Sequence, residues 1–184
     1  SRRRWLGLGL GLATVAAGGW WWRAPTPPQT SRLPTLQSFN ATETRTLDAL
    51  ATAVLPGEAP FPPHQQAEVL TRLDEEVYFV SPDVQADIHA AVQALEYLPL
   101  AMGWFSRFSQ MDRSRQTRFI AAASASQIEL VRAVASSLRL MVQLVYYGHP
   151  AVWPAIGYDG PFAHLPEQLS EQRLHFRQLK ATRT

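Results

Sequence analysis

A helix with apolar residues on nearly every side has to lie inside something, and residues Gln127 to Tyr147 spell out such a helix. Ser126 followed by Glu129 is a start signal, and Gly148 is a stop. Between them, Ile128, Val131, Ala135, Leu138, Val142 and Val145 form one stripe at helical spacing. Leu130, Val134, Met141 and Leu144 form a second, and Arg132, Ser136, Arg139 and Gln143 leave only a narrow polar side. Such a helix is either central to a core or covered by a second body.

The rest of the chain repeats the helical period. Asn40 with Glu43 predicts a capping box, followed by Leu47, Leu50, Ala51 and Val54 on one face, with Pro56 and Gly57 as the stop. A proline-rich loop covers Gly57 to Pro63. A second helix is expected over Gln65 to Tyr78, burying Val69, Leu73 and Val77. Ser81 with Pro82 at the first helical position starts a third, with Val84, Ile88, Ala91, Val92 and Leu95 inward. Ser109 with Asp112 precedes a fourth that carries Phe119 and Ile120. No alternating strand pattern of useful length and no internal repeat accompanies them. The fold class expected is all-α, a helical bundle with an aromatic, Gly/Pro-rich segment near its C-terminal end.

Charge separates the N-terminal region from the rest. Of the 17 basic residues, four (Arg2, Arg3, Arg4 and Arg23) fall within residues 1–23, which hold no acid. That leaves 13 basic against 15 acidic residues, a net charge of −2. A nucleic-acid binder would carry its positive charge on the folded domain, so that class is excluded. Ser1-Arg2-Arg3-Arg4-Trp5-Leu6 resembles the twin-arginine export pattern, with Arg2, Arg3, Trp5 and Leu6 as its signal residues. Gly7 stands where that pattern usually has lysine. The run that follows, rich in Gly and Leu, is only moderately apolar, which suits a signal read through its arginines. A plain membrane anchor is the alternative, with Trp20, Trp21, Trp22 and Arg23 at the bilayer interface. Residues 24–35 form a proline-rich linker, 36–165 the helical domain and 166–184 a C-terminal tail.

Tyr146 to Phe162 stands apart, with five aromatic residues set among Gly and Pro, and it reads as an irregular, poorly hydrogen-bonded loop. Two arrangements satisfy burial: the loop folds back as a plug on the bundle, or its rings anchor a partner. Some rings inward and others outward would combine the two. The partner-binding candidates are Tyr146, Tyr147, Trp153, Ile156, Tyr158 and Phe162. Truncating Tyr147, Trp153 or Tyr158 would each weaken such an interface by about 2 kcal/mol.

The Tyr-Tyr…Pro…Trp…Ile-Gly-Tyr…Gly-Pro run resembles the C-terminal signature of the gluconate 2-dehydrogenase subunit 3 family. Phe39-x-x-x-Glu43 with Leu47, Ala49, Leu50 and Val54-Leu55-Pro56 is similar to that family's first helix. Phe105 to Phe108 and the arginine-bearing stretch from Asp112 to Ile120 fit its middle. The resemblance spans roughly residues 36 to 162. It implies a non-catalytic small subunit of a periplasmic flavin-dependent alcohol or sugar dehydrogenase of the glucose–methanol–choline type. The large subunit would hold FAD and a cytochrome c would often accept the electrons. The small chain would supply the export signal and assist folding, with no cofactor of its own.

Catalytic motifs do not compete with that expectation. The chain has no cysteine, which removes disulfides, thiolate metal sites and thioether-attached haem. His64, His89, His149, His164 and His175 form no i, i+3 or i+4 ligand pair. His149 and His164 read as loop residues, and the Asp74-Glu75-Glu76 run as a solvated face. No phosphate-cradling loop or nucleophile elbow occurs. The rival class is a stand-alone binding module tethered by an uncut leader.

Overall fold

The structure, a computed structural model, describes residues 33–161 and 171–182. The predicted signal residues Arg2, Arg3, Trp5 and Leu6, most of the linker, and Phe162 lie outside the described residues.

Six α-helices occur among the described residues, so the all-α expectation holds. Helix α1 spans Ala41–Val54 and opens with the predicted capping box. The Asn40 side chain accepts from the N–H groups of Thr42 and Glu43, at 2.9 and 3.0 Å. The Glu43 carboxylate accepts in return from the Asn40 N–H at 3.0 Å. Leu47, Leu50 and Ala51 are fully buried, each leucine stabilising the fold by roughly 2 kcal/mol.

Helices α2 (Val69–Tyr78), α3 (Pro82–Ala101), α4 (Arg113–Ser124) and α5 (Glu129–Tyr147) all pack against α1. Helix α5 likewise packs against α1, α2, α3 and α4, so α1 and the doubly apolar α5 share the centre of the bundle. Buried Ala49, Ala51 and Ala53 give α1 a slim profile that lets several neighbours approach at once. A 3₁₀ turn at Phe108–Gln110 joins the same core. Helix α6 (Glu171–Ala181) places Phe176 against Tyr78 and Phe79, with ring centroids 5.4 and 6.0 Å away.

Several boundaries differ from expectation. Helix α2 begins at Val69, not Gln65, because Glu68 is left-handed (φ 47°) and residues before it form tight turns. Helix α5 begins at Glu129, with the Ser126 hydroxyl accepting from the Ile128 N–H at 3.1 Å. At 19 residues it is one shorter than α3. Ser81 makes no side-chain cap, so Pro82 alone marks the start of α3. Val84 is exposed, since the first turns of α3 run beyond the core and full burial starts at Val92. Asp112 caps α4, whereas Ser109 lies in the 3₁₀ turn and donates to Glu96.

Buried polar groups hold the helices in register. The Glu96 carboxylate on α3 accepts from the Thr46 hydroxyl (3.0 Å), the Ser109 N–H (3.0 Å) and the Ser109 hydroxyl (2.8 Å). Asp74 does not sit on a solvated face: it is buried and accepts from the N–H groups of Gln37 and Ser38 at 2.7 and 2.8 Å. Its neighbours Glu75 and Glu76 pair with Arg173 on α6, at 3.6 and 2.7 Å. No helix among the described residues is long and apolar enough to cross a membrane.

Candidate interaction surface

Helix α5 divides into three sides. Val131, Ala135, Leu138, Val142 and Tyr146 are buried against the bundle. Arg132, Ser136, Arg139 and Gln143 make the polar side. On the third side Leu130, Ala133, Ser137, Leu140, Leu144 and Tyr147, three and four residues apart, are exposed. Leu140 and Leu144 show 56% and 65% of their surfaces. Val134 and Met141 on the flank are half-buried and touch the core. Of the first predicted stripe, Ile128 is exposed because it precedes the helix, and Val145 is half-buried. Leu140 was missed in the sequence because it follows Arg139 and falls in neither stripe.

The segment after α5 is folded, not irregular. His149, Val152, Trp153, Ala155, Gly157 and Tyr158 all donate backbone N–H groups within it, through successive tight turns and a 3₁₀ turn at Trp153–Ile156. Tyr158 meets Trp153 edge-on, with centroids 5.2 Å apart. Gly160 lies in a left-handed conformation (φ 102°), where an added Cβ would come within 3.3 Å of the indole. Val152 is fully buried and anchors the segment.

The six aromatic and aliphatic candidates therefore separate. Tyr146 is fully buried, and its hydroxyl donates to the Pro62 carbonyl at 2.6 Å, so it is a core residue and not a contact for a partner. Burial, and secondarily Tyr147, pushes the Tyr146 phenol pKa up, which keeps that hydroxyl a donor. Tyr147, Ile156 and Tyr158 are exposed, and Trp153 is half-buried beneath Tyr158. Phe162 lies outside the described residues.

Two histidines find carboxylates that are remote in sequence. His64 Nε2 lies 2.9 Å from Asp48 and His89 Nδ1 lies 3.2 Å from Glu43. A shallow cleft of about 160 Å³ beside His64 is lined by Thr52, Leu55, Pro63, Gln65 and Arg113, among others. The Asp48 pair ties the Pro-rich loop to α1, and the Arg113 guanidinium donates to the Leu55 carbonyl at 3.3 Å. His149, a loop residue as expected, accepts at Nδ1 from the Ala151 N–H at 3.1 Å. Among the described residues no group of three or more His, Asp or Glu could hold a metal ion.

No protein-family model, curated protein or solved structure matches this chain. The family resemblance rests on the sequence motifs quoted above.

Proposed function

We propose that this chain is the non-catalytic small subunit of a periplasmic FAD-dependent alcohol or sugar dehydrogenase, supplying the export signal and stabilising its large partner. The observation that carries the reading is the outward side of α5, where Leu130, Leu140, Leu144 and Tyr147 lie in line on one helix that is already packed by its opposite side. Apolar side chains exposed along one side, broken only by Ser137, are costly in water and support a docking role. Ile156 and Tyr158, on the segment that follows directly, supply rings and branched carbon beside a glycine-shaped turn. FAD belongs to the large subunit in this reading, and a cytochrome c would take its electrons.

Co-producing the large flavoprotein with and without this chain tests the reading. The flavoprotein should reach the periplasm only when this chain is present. Normal export in its absence defeats the proposal.

The closed core around α1 favours a second reading, a tethered module that folds and works alone. Size-exclusion of the purified chain separates the two. A stand-alone module elutes as a stable monomer, whereas an orphaned subunit self-associates through α5.

A further inference from the structure

Resting on the small-subunit reading, we infer that the outward side of α5 takes a second copy of this chain, α5 against α5 in antiparallel register. The dimer is the form in which the subunit waits until its large partner displaces one copy. Leu130, Ala133, Ser137, Leu140, Leu144 and Tyr147 are all exposed and follow one another at spacings of three, four, three, four and three. That is a seven-residue repeat, with Leu130, Ser137 and Leu144 at one position and Ala133, Leu140 and Tyr147 at the other. A repeat of seven is the mark of a helix that faces another helix, crossing it at about 20°. Helix α5 is already formed and held by its opposite side, so pairing costs little ordering.

The sizes along the line say which helix. Running α5 against itself in opposite directions sets Leu130 against the second copy's Tyr147, Ala133 against its Leu144 and Ser137 against its Leu140. By symmetry each contact occurs twice, so a small side chain meets a large one in every layer between the two ends. Facing helices fill space in this way. Run in the same direction, the line would set Ala133 on Ala133 and Ser137 on Ser137, leaving a gap with two hydroxyls at the middle. In the antiparallel pair the serine hydroxyl turns back to the Ala133 carbonyl, four residues before it, a bond open to any helical serine. Arg132 and Arg139 stay on the polar side, while the flanks of the seam bring Val134 to the second copy's Met141 and Ser136 to its Gln143.

A specific interface needs at least about 1,000 Å² in total. The seam from 130 to 147 gives about 27 Å of helix on each copy. Exposed Ile128 precedes it and exposed Ile156 and Tyr158 follow it, and antiparallel pairing brings the start of each helix to the end of the other. Together they supply area on the order of that threshold. A bilayer would reward large side chains along the whole line; small residues matched by large ones suit a second helix.

The chain has no cysteine, so single substitutions report the register without background. Full-length Ala133→Cys and Leu144→Cys, carrying different tags and produced together, should form a mixed disulfide on mild oxidation. Neither alone should cross-link, since like positions lie about 16 Å apart along the pair and a disulfide needs Cα atoms within about 7 Å. Ser137→Leu sets leucine on leucine in both central layers and should raise the dimer's Kd about tenfold. Adding Leu140→Ser returns one small and one large side chain to each layer and should restore it.

A cross-link from Ala133→Cys alone means parallel pairing and overturns the inference. Equal cross-linking of Ala133→Cys to a cysteine at any exposed position of α5 means unordered association and also overturns it. Leu144-dependent binding to vesicles of phosphatidylethanolamine and phosphatidylglycerol, with no dimer, overturns it in favour of a membrane. A chain that light scattering finds monomeric, yet is still required for flavoprotein export, loses the dimer and keeps the small-subunit reading. A chain that forms the mixed disulfide while the flavoprotein is exported without it keeps the pairing and loses that reading.

Discussion

Tyr146 and Tyr147 are adjacent and chemically identical, yet the helix turns about 100° between them and gives them opposite surroundings. Tyr146→Phe should remove the hydroxyl that satisfies the Pro62 carbonyl and cost about 1–2 kcal/mol in urea unfolding, with flavoprotein binding intact. His149 carries a different signature. Burial, and then Arg72, lowers its pKa below the usual value, with Glu68 acting the other way. The folded chain therefore favours neutral His149, and the unfolded chain takes up a proton first as the pH falls. Its contribution to stability is complete above about pH 6.5 and is lost as the pH drops from there through the lowered folded pKa. His149→Asn keeps an acceptor for the Ala151 N–H and should flatten that part of a stability-versus-pH curve. The Tyr-Tyr pair was legible in the sequence, but not which ring faced in, because that depends on where α1 and the Pro-rich loop lie. The left-handed backbone of Phe105 (φ 53°) was not legible, since such an angle leaves no mark on a single residue's name.

At the level of the helix, local signals were easy to read and their burial less so. Asn40, Glu43 and Gly148 mark helix ends through hydrogen bonds to residues nearby in sequence, so the sequence contains both partners. The start of α2 was not legible, because tight turns and a left-handed Glu68 replace a side-chain cap there. The two stripes of α5 were legible as a pattern, and the structure assigns most of the first to the bundle and, of the second, leaves Leu130 and Leu144 bare while Val134 and Met141 touch the core. Substituting Leu140→Asp together with Leu144→Asp should shift the isolated chain's unfolding midpoint little, because both side chains are already in water. The same pair should abolish co-purification of the flavoprotein and reduce self-association on size-exclusion. A large loss of stability would show instead that this side packs within the chain's own fold.

The whole molecule is organised by contacts that periodicity cannot see. His64 reaches back to Asp48, His89 to Glu43, and Glu96 collects Thr46 and Ser109 from two other elements. Each pair joins segments whose mutual placement is a property of the finished fold. Glu96→Ala would leave the part-buried Ser109 N–H and hydroxyl without their acceptor, while the Thr46 hydroxyl keeps the Thr42 carbonyl, and should cost on the order of 2 kcal/mol, read as a fall in the thermal midpoint. The histidine search failed in the sequence for the same reason, since it looked only one helical turn away. The position of α1 has a further result for how the protein is made. Helix α1 precedes α2 to α5 in the chain, and its contact with α5 can form only after about 90 further residues have been translated. Until α5 is made, α2, α3 and α4 can cover only part of the α1 surface that carries Leu47 and Leu50. The half-made protein is thus a natural client for holdase chaperones, and maturation waits until the last strap of the bundle has been produced.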